Sequence, residues 1–197
     1  MMVFKILVLF SVFSSAKPAG TIQPHVANYI EEYKFMAIDE MLRTGIPASV
    51  TMAQAIIESN AGSSKLACES NNHFGIKCKS YWEGNEYFHP DDDRDAKGNL
   101  IPSCFRKYGS VQESYFDHGN FLMNSDHYKP LFNYDKTEYA LWAHGLALCG
   151  YASDCKYAEK IINTIELYGL HELDYYTVQY VDKTELDVVS SQMSKMN

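Results

Sequence analysis

Apolar side chains recur every three or four residues along most of the chain, which is the spacing of one face of an α-helix. Residues that end helices divide this pattern into segments, with Gly45 and Pro47 after the first and Gly62 after the second. Ser49 is a candidate N-cap of the second helix, and Ser110 begins an SxxE capping box that opens a later one. The pattern predicts five helices, over residues 24–41, 48–59, from 111 onwards, 137–148 and 156–168.

The pattern changes between residues 71 and 108, where short aromatic or β-branched pieces alternate with turn-forming sequences such as EGNE and AKGN. This alternation is typical of a small β-hairpin lobe. Residues 175–197 show no sustained helical stripe and become polar, so they are predicted to form a loosely held tail. The expected fold is therefore mainly α, of the α+β class, with one β lobe inserted.

The first sixteen residues have the organisation of a secretory signal peptide. Lys5 precedes an apolar run over residues 6–13, and Ser14 and Ala16 are small residues two apart, as signal peptidase requires. We predict that residues 1–16 are removed and that residues 17–174 form one domain. The apolar run is well short of the roughly 20 residues that span a bilayer. An exported protein, periplasmic or extracellular and without a membrane partner, is expected.

Export would make disulfide bonds the default state of the cysteines. The five cysteines include no CxxC pair and no zinc-ligand spacing, and their odd number leaves one thiol over. Cys78 and Cys104 bracket the least helical stretch, so they are the favoured pair, and Cys149 with Cys155 is a weaker prediction. The seven histidines show no metal-ligand spacing either, so neither a metal nor a cofactor is expected.

Composition narrows the class of partner. The 197 residues are 46% hydrophobic, which is enough for one ordinary core, and no internal repeat is present. Lys and Arg number 17 against 25 Asp and Glu, so the formal net charge is −8. A protein with this balance has no broad basic surface to neutralise phosphates, which excludes nucleic acid as an expected partner.

The second predicted helix carries the first candidate for chemistry. It is apolar nearly all round, except for a stripe formed by Thr51, Gln54 and Glu58. A buried helix with one polar stripe is expected to line a cleft. Glu58 falls in the last turn, where the helix dipole and apolar neighbours disfavour its ionised form, so its pKa should be raised, as a general acid requires. The alternative is a surface glutamate or one paired with Lys65.

Three stretches together resemble one family. They are IPASVTMAQAIIESNAGSSKLA over residues 46–67, NNHFGIK over 71–77 and GYASDCKYAEKII over 150–162. With the intervening CFRKYGSVQESYFDH, they resemble the bacterial peptidoglycan β-N-acetylglucosaminidases of glycoside hydrolase family 73, which include flagellar rod-cap hydrolases and autolysins. The resemblance covers about residues 30–174.

The resemblance implies a lysozyme-like helical domain with a small β-hairpin lobe beside the catalytic groove. It implies endo-acting hydrolysis of the β-1,4 bond between N-acetylglucosamine and N-acetylmuramic acid, so the expected partner is a peptidoglycan glycan strand. Glu58 matches the family's general acid. Asn72, Phe74 and Gly75 match an NxFG element at the cleft wall, and Tyr151 matches a tyrosine that helps to organise the reaction centre.

A second carboxylate is expected in the β lobe. The sequence offers Asp91, Asp92, Asp93 and Asp95, of which Asp92 and Asp93 better match the family's pattern. The alternative for this run is a solvated turn, which is expected to hold for at least two of the four. A carboxylate opposite Glu58 could activate water in an inverting reaction if the two groups stand roughly 6.5–9.5 Å apart. Without such a carboxylate, the substrate's own N-acetyl group would be the nucleophile.

Other residues are assigned more simply. Gln54 is expected to contact the substrate from the polar stripe. Trp82, with three neighbouring aromatic residues, either stacks on sugar faces or fills the β lobe. Asp39 and Glu40 are expected on a charged helix face. Four further aromatic residues are expected in the core, namely Tyr115, Phe116, Phe121 and Trp142.

Two rival functions fit the same residues. A lytic transglycosylase or muramidase would share the lysozyme-like groove and a single glutamate at a helix end. A non-catalytic glycan-binding or assembly module would keep the groove and bind without forming product.

Overall fold

The computed structural model describes residues 20–177. The predicted signal peptide, residues 1–16, and the part of the predicted tail beyond residue 177 lie outside this range. Of the described helices, none is both long and apolar enough to cross a bilayer.

Six α-helices and one β-hairpin make up the described chain. The helices are α1 (Pro24–Thr44), α2 (Ala48–Ser59), α3 (Lys65–Ser70), α4 (Val111–Met123), α5 (Tyr139–Leu148) and α6 (Tyr157–Tyr168). Two 3₁₀ helices cover Lys129–Asn133 and Leu170–Tyr175, and the strands are β1 (Asn85–Arg94) and β2 (Leu100–Lys107). The five predicted helices are confirmed, and the mainly helical fold with a β-hairpin is as expected. The six residues of α3 are too few to show a helical period in the sequence.

Helix α2 forms the centre of the molecule because it can be buried on every side. Eight of its first nine residues are alanine, valine, isoleucine, methionine or small polar residues, and all nine are buried. The helix packs against α1, α5, α6 and the 3₁₀ helix at Leu170–Tyr175. Trp142, Leu146, Ile161 and Ile165 complete the core from α5 and α6. Burying each such side chain contributes about 1.5–3 kcal/mol.

The predicted N-cap of α2 is wrong. Pro47 occupies the cap position, and the Ser49 side chain does not cap the helix that contains it. Instead, the Ser49 backbone N–H and hydroxyl donate to the carboxylate of Asp174, at 2.8 and 2.6 Å. A fully buried carboxylate from the far end of the chain thus satisfies a free N–H at the positive end of α2. The C-cap that follows α2 is Asn60, which adopts the left-handed conformation, and not Gly62.

The base of the hairpin is attached to the loop that follows α3. Cys78 and Cys104 form a disulfide bond, which confirms the favoured pairing. The Cys78 backbone N–H also donates to the Cys104 carbonyl oxygen. The weaker pairing of Cys149 with Cys155 is wrong, because both thiols are free. The Cys149 thiol lies at the end of α5 and donates to the His127 carbonyl oxygen, which holds it in place.

Two residues, Glu40 and Phe116, differ from expectation in how far their side chains are exposed. Glu40 is buried rather than on an open charged face, because Arg43 covers it with hydrogen bonds to both carboxylate oxygens. Phe116 is 49% exposed and lies under the Arg43 guanidinium, 4.2 Å from the ring centre, so it is not a core residue. Tyr115 and Trp142 are core residues as predicted, and Phe121 is half-buried.

Candidate active site

A cavity of about 550 Å³ lies between the end of α2 and the β lobe. Its size suits a small-molecule or sugar site. Its wall includes Glu58 from α2, Phe74 and Gly75 from the loop after α3, and Tyr151 from the loop after α5. Four residues that the sequence predicted from three separate motifs therefore meet in one place.

Glu58 is partly buried at this cavity, in the last turn of α2. Burial raises the pKa of its carboxyl group, while a hydrogen bond from Tyr157 and the charge of Lys160 act in the opposite direction. The net effect is a raised pKa, as the sequence predicts. The alternative pairing with Lys65 does not occur, because Lys65 faces Glu69 instead.

A chain of hydrogen bonds joins the interior to the Glu58 carboxyl group. The Gln54 amide donates to the Tyr157 hydroxyl oxygen at 3.0 Å, and the Tyr157 hydroxyl donates to Glu58 Oε1 at 2.9 Å. Gln54 is fully buried, one helical turn before Glu58, and is not part of the cavity wall. The structure therefore places Gln54 behind the acid, where it orients Tyr157, and not on a substrate-facing stripe. Thr51 is buried too, so the predicted polar stripe does not face solvent at this position.

Tyr151 and Tyr157 form a stacked pair beside the acid. Their ring centres are 5.5 Å apart and the rings are 19° from parallel. Burial raises the pKa of both hydroxyl groups, and the nearby Glu58 charge adds to the effect for each. Both tyrosines are therefore neutral hydrogen-bonding groups at physiological pH.

The NNHFGIK loop forms one wall of the cavity. Phe74 and Gly75 face the cavity, and Gly75 has a φ of +64°, a left-handed conformation that favours glycine. Asn72 is buried behind them and is not a wall residue. Its side chain accepts from the Ile76 N–H and donates to the carbonyl oxygens of Ile76 and Arg106. Asn72 thus fixes the loop to β2 and shapes the wall without reaching the cavity.

The aspartates of the β lobe surround one lysine. Between Pro90 and Arg94 the pairing of the strands slips, so that three aspartates of β1 stand opposite the single residue Ile101 of β2. All three carboxylates, those of Asp91, Asp92 and Asp93, lie 2.8–3.0 Å from Lys77 Nζ.

Only one of these three acids reaches the cavity. Asp91 and Lys77 are part of its wall, whereas Asp92 and Asp93 are not. The hydrogen bond from Lys77 lowers the pKa of Asp92, and hydrogen bonds from Ser103 and Lys77 lower that of Asp93. Asp95 lies further along, where its carboxylate accepts from the Lys97 and Asn99 N–H groups and braces the hairpin turn.

Trp82 does not reach the cavity wall. Its ring packs on the Arg106 guanidinium, with 4.6 Å between the guanidinium carbon and the ring centre, and its N–H donates to the Asn85 carbonyl oxygen. Of the two interpretations of Trp82, the structure favours filling of the β lobe.

Three residues that sequence reasoning did not single out as functional prove important here. Tyr157 lies within the helix predicted over residues 156–168, and its hydroxyl donates to Glu58. Lys77 and Arg106 line the cavity and each pairs with acids from another segment. For Tyr157 the sequence did contain one signal, its place within the GYASDCKYAEKII motif. A tyrosine hydroxyl on a buried helix face needs a hydrogen-bond partner.

One group among the described residues has the donor spacing of a metal site, namely Cys78, Glu86 and Cys104. The two sulfur atoms are bonded to each other, so they cannot act as thiolate ligands. This group is not a candidate metal centre.

A family model described as mannosyl-glycoprotein endo-beta-N-acetylglucosaminidase, or glucosaminidase, matches residues 34–170. Among known proteins, the exo-glucosaminidase LytG of Bacillus subtilis is 37% identical over 131 residues, which are 64% of this chain and 45% of LytG. The peptidoglycan hydrolase FlgJ of Vibrio cholerae is 29% identical over 122 residues, which are 60% of this chain and 36% of FlgJ. The chain thus spans less than half the length of these two relatives.

Solved structures agree with these matches. The catalytic domain of the autolysin Auto from Listeria monocytogenes superposes with a TM-score of 0.68 at 28% identity, covering 79% of this chain and 90% of that domain. A peptidoglycan hydrolase from Sphingomonas superposes with a TM-score of 0.61 at 26% identity, covering 74% of this chain and 91% of that one.

Proposed function

This chain belongs to the glucosaminidase family, and we propose that it hydrolyses the β-1,4 bond between N-acetylglucosamine and N-acetylmuramic acid in peptidoglycan. The observation that supports this most directly is the Glu58 carboxyl group, which stands at a sugar-sized cavity with a raised pKa. The names of the relatives, which include a glucosaminidase and a peptidoglycan hydrolase, support the same substrate.

In this proposal Glu58 protonates the oxygen of the leaving sugar. A raised pKa keeps its carboxyl group protonated at a higher pH than an ordinary glutamate would allow, which a general acid needs. Tyr157 holds one carboxyl oxygen, Oε1, so that the acid has a fixed orientation. Tyr151 lines the cavity together with Glu58, which supports a role for it in organising the reaction centre.

We propose Asp91 as the second carboxylate, in place of Asp92 or Asp93. Asp91 is the member of the aspartate group that lines the cavity with Glu58. Lys77 forms ion pairs with all three aspartates, so it fixes the bulge that presents Asp91 to the cavity. A carboxylate in this position would activate water or stabilise the positive charge that develops on the sugar.

Single Asn substitutions at Asp91, Asp92 and Asp93 test this assignment. We expect Asp91→Asn to lower kcat far more than the other two, because only the Asp91 carboxylate faces the cavity. Equal, small effects of all three would instead support attack by the substrate's own N-acetyl group.

Product analysis tests the reaction itself. The purified protein is incubated with purified peptidoglycan and the soluble fragments are identified by mass spectrometry. Reducing ends on N-acetylglucosamine are expected. Reducing ends on N-acetylmuramic acid would indicate a muramidase, 1,6-anhydro ends a lytic transglycosylase, and binding without product a non-catalytic module. The size of the first products separates endo from exo action.

The proposal includes an exported location, in the periplasm or outside the cell, where peptidoglycan is accessible. The disulfide bond supports it, because disulfides persist in oxidising compartments. The cleavage site predicted after Ala16 can be checked by N-terminal sequencing of the mature protein.

A further inference from the structure

A cavity of about 280 Å³ opens beside the first half of α1, and we call it the α1 cavity. It is slightly smaller than the roughly 300–1,000 Å³ of most small-molecule sites, so it suits a single side chain or the end of a short chain. Its wall includes Tyr29, Glu32 and Tyr33 from α1 and residues 61–63 from the loop after α2. None of these residues has a role in the chemistry proposed above.

The loop after α2 closes this cavity by lying directly on a tyrosine ring. Gly62 has a φ of +75°, and a Cβ atom at this position would lie 3.0 Å from the Tyr29 ring, so the contact requires glycine. Asn60 and Ala61 also have positive φ angles, of 52° and 50°. This conformation costs free energy in residues other than glycine, and it clusters at sites that hold ligands. The loop is thus held against α1 by tertiary contacts.

The Glu32 carboxylate is the charged group of the α1 cavity, and it forms no ion pair with any residue in the range 20–177. Lys34, two residues further along α1, pairs with Glu31 at 2.6 Å instead. His73 contacts the Tyr29 and Tyr33 rings from behind the wall. Burial lowers the pKa of His73 to about 4, although the Glu32 charge acts in the opposite direction, so His73 is neutral and does not balance Glu32.

Two tyrosine rings stand beside this carboxylate. The ring centres of Tyr29 and Tyr33 are 4.7 Å apart, and the rings are tilted by 55°. Burial raises the pKa of the Tyr33 hydroxyl to about 12, and the Glu32 carboxylate adds to the rise, which places that carboxylate close to the hydroxyl. The faces of tyrosine rings attract cations. The cavity therefore combines an unpaired carboxylate with aromatic faces.

This combination favours an organic ammonium ion over other ligands. No lysine or arginine lines the cavity to offset the repulsion between Glu32 and an anion. A divalent metal ion takes about six oxygen ligands, whereas the wall supplies a single carboxylate. An ammonium group on an alkyl chain fits both features, because its charge pairs with the carboxylate and its chain packs on the rings.

The α1 cavity borders the active-site cavity. Residues 61–63 line the former, and the next two residues, Ser64 and Lys65, line the latter. Consecutive Cα atoms are only about 3.8 Å apart, so the two rims are neighbours. An extended peptide of four or five residues spans about 13–18 Å. A peptide attached to a sugar beside Glu58 is therefore long enough to reach the α1 cavity.

We propose that the α1 cavity binds the primary ammonium group of a peptidoglycan stem peptide, that of its diamino acid, with the nitrogen at the Glu32 carboxylate and the alkyl chain on Tyr33. The inference rests on the proposed function for the identity of the strand that carries the peptide. It adds a site of specificity outside the sugar-binding groove, so that strands bearing free amines bind more tightly than bare glycan.

Binding, rather than turnover, tests this site. In a Glu58→Gln background, isothermal titration measures the affinity for a tetrasaccharide whose stem peptides contain lysine, for the same fragment after N-acetylation of the lysine amine, and for the peptide-free tetrasaccharide. The free amine should give about five- to tenfold tighter binding than the acetylated form, as expected for one charge-assisted contact. Glu32→Gln should remove this difference and leave the affinity for the other two ligands unchanged.

Glu31→Gln is the matched control, because Glu31 is the exposed neighbour of Glu32 in α1 and does not line the cavity. It removes the same charge from the same turn and should keep the preference for the free amine. Tyr33→Phe retains the ring face and should keep the preference as well, whereas Tyr33→Leu should reduce it. Circular dichroism checks the folding of each variant.

Three outcomes would overturn the proposal. These are equal affinity for the free and acetylated amines, a preference that Glu32→Gln keeps, and an equal loss in the Glu31 and Glu32 variants. A fourth ligand, a peptide-free tetrasaccharide with one de-N-acetylated sugar, tests the source of the amine. Glu32-dependent binding of this ligand alone would refute the stem peptide as the source. Absence of hydrolysis by the unsubstituted protein would refute the proposed function, whereas the amine preference is measured without hydrolysis.

Discussion

Glu58 combines two features that pull its pKa in opposite directions. Burial of its side chain in the last turn of α2 raises the pKa. The hydrogen bond from Tyr157 lowers the pKa and also fixes the position of Oε1. The net raised pKa means that the carboxyl group is both oriented and available as an acid. The hydrogen bond that orients the acid therefore removes part of the rise in pKa.

Glu58→Gln should abolish hydrolysis without unfolding the protein. Gln keeps the shape and can still accept from Tyr157, but it cannot deliver a proton, so kcat should fall by about 10²–10⁴-fold. Release of soluble fragments from purified peptidoglycan measures the activity, and thermal unfolding measures stability. Glu159→Gln, at an exposed residue of α6, is the control. A well-folded Glu58→Gln variant that still clears peptidoglycan would refute the assignment.

Tyr157→Phe should move the pH dependence of kcat/KM. A general acid works while protonated, so activity falls as pH rises through the pKa of Glu58. Removing the hydroxyl removes a hydrogen bond that lowers this pKa, so the falling limb should move to higher pH by roughly 0.5–1 unit. The measurement is kcat/KM across a pH series. An unchanged limb or a shift to lower pH would contradict the relay from Gln54 through Tyr157.

Helix α2 depends on a partner from the end of the domain. Asp174, in the 3₁₀ helix at Leu170–Tyr175, accepts from Ser49 at the start of α2 and so holds the two segments together. Burial raises the pKa of Asp174 to about 6, although the hydrogen bonds from Ser49 act against the rise. The contact between Ser49 and Asp174 is therefore sensitive to pH near the pKa of Asp174, about 6.

Asp174→Asn should change how stability depends on pH. The pKa of Asp174 is about 6 in the folded chain against 3.8 as its ordinary value, so its contribution to stability is complete below the lower value and is lost as pH rises through the higher one. In the unsubstituted protein this loss amounts to at most about 3 kcal/mol. The Asn variant should lack it.

Urea unfolding between about pH 4 and pH 7 measures this difference in the free energy of unfolding. Asp126→Asn is the control, because the Asp126 side chain is 99% exposed. Parallel pH profiles for the Asp174 variant and the unsubstituted protein would show that Asp174 does not carry this dependence.

The molecule as a whole depends on how its β lobe is joined to its helices. The disulfide, the Asn72 side chain and the ion pair of Arg106 with Asp117 all connect the base of the hairpin to the loop after α3 or to α4. The hairpin has only two strands, which are marginally stable alone. These attachments therefore determine whether the cavity keeps its second wall.

Cys104→Ser should loosen the β lobe. The disulfide closes a loop with a sequence separation of 26, and its loss should lower the free energy of unfolding by about 3 kcal/mol. Limited proteolysis should cut the variant first within residues 79–103, and activity should fall because Asp91 and Lys77 lose their fixed position. Cys155→Ser, at an exposed free cysteine, is the control. Equal protease resistance of the two variants would argue against this role.

The accuracy of the sequence-based predictions depended on how far apart the interacting residues lie. Helix positions, the capping box at Ser110 and the β lobe were predictable, because a few neighbouring residues specify them. Ser110 accepts from the Glu113 N–H, as its motif predicts. The Cys78–Cys104 pair was also predictable, since the two residues flank one hairpin. The predicted Cys149–Cys155 pair is wrong, because nearness in sequence alone does not bring two thiols together.

The roles of Gln54 and Asn72 could not be read from the sequence. A polar residue on an apolar helix suggests a wet stripe, but it can equally be satisfied by a partner from elsewhere in the fold. Tyr157 is that partner for Gln54, and the backbone of β2 is that partner for Asn72. Likewise, only the folded structure distinguishes Asp91, which lines the cavity, from Asp92 and Asp93, which do not.

The amino-acid order was sufficient to identify the helices, the class of fold, the family resemblance and Glu58 as the candidate acid, because periodicity, capping and motifs act over short stretches of chain. The packing of distant segments decided which residues surround that acid. Glu58 meets Tyr157 across 99 residues and Ser49 meets Asp174 across 125. Contacts of this kind depend on how whole elements pack, and no local pattern encodes them.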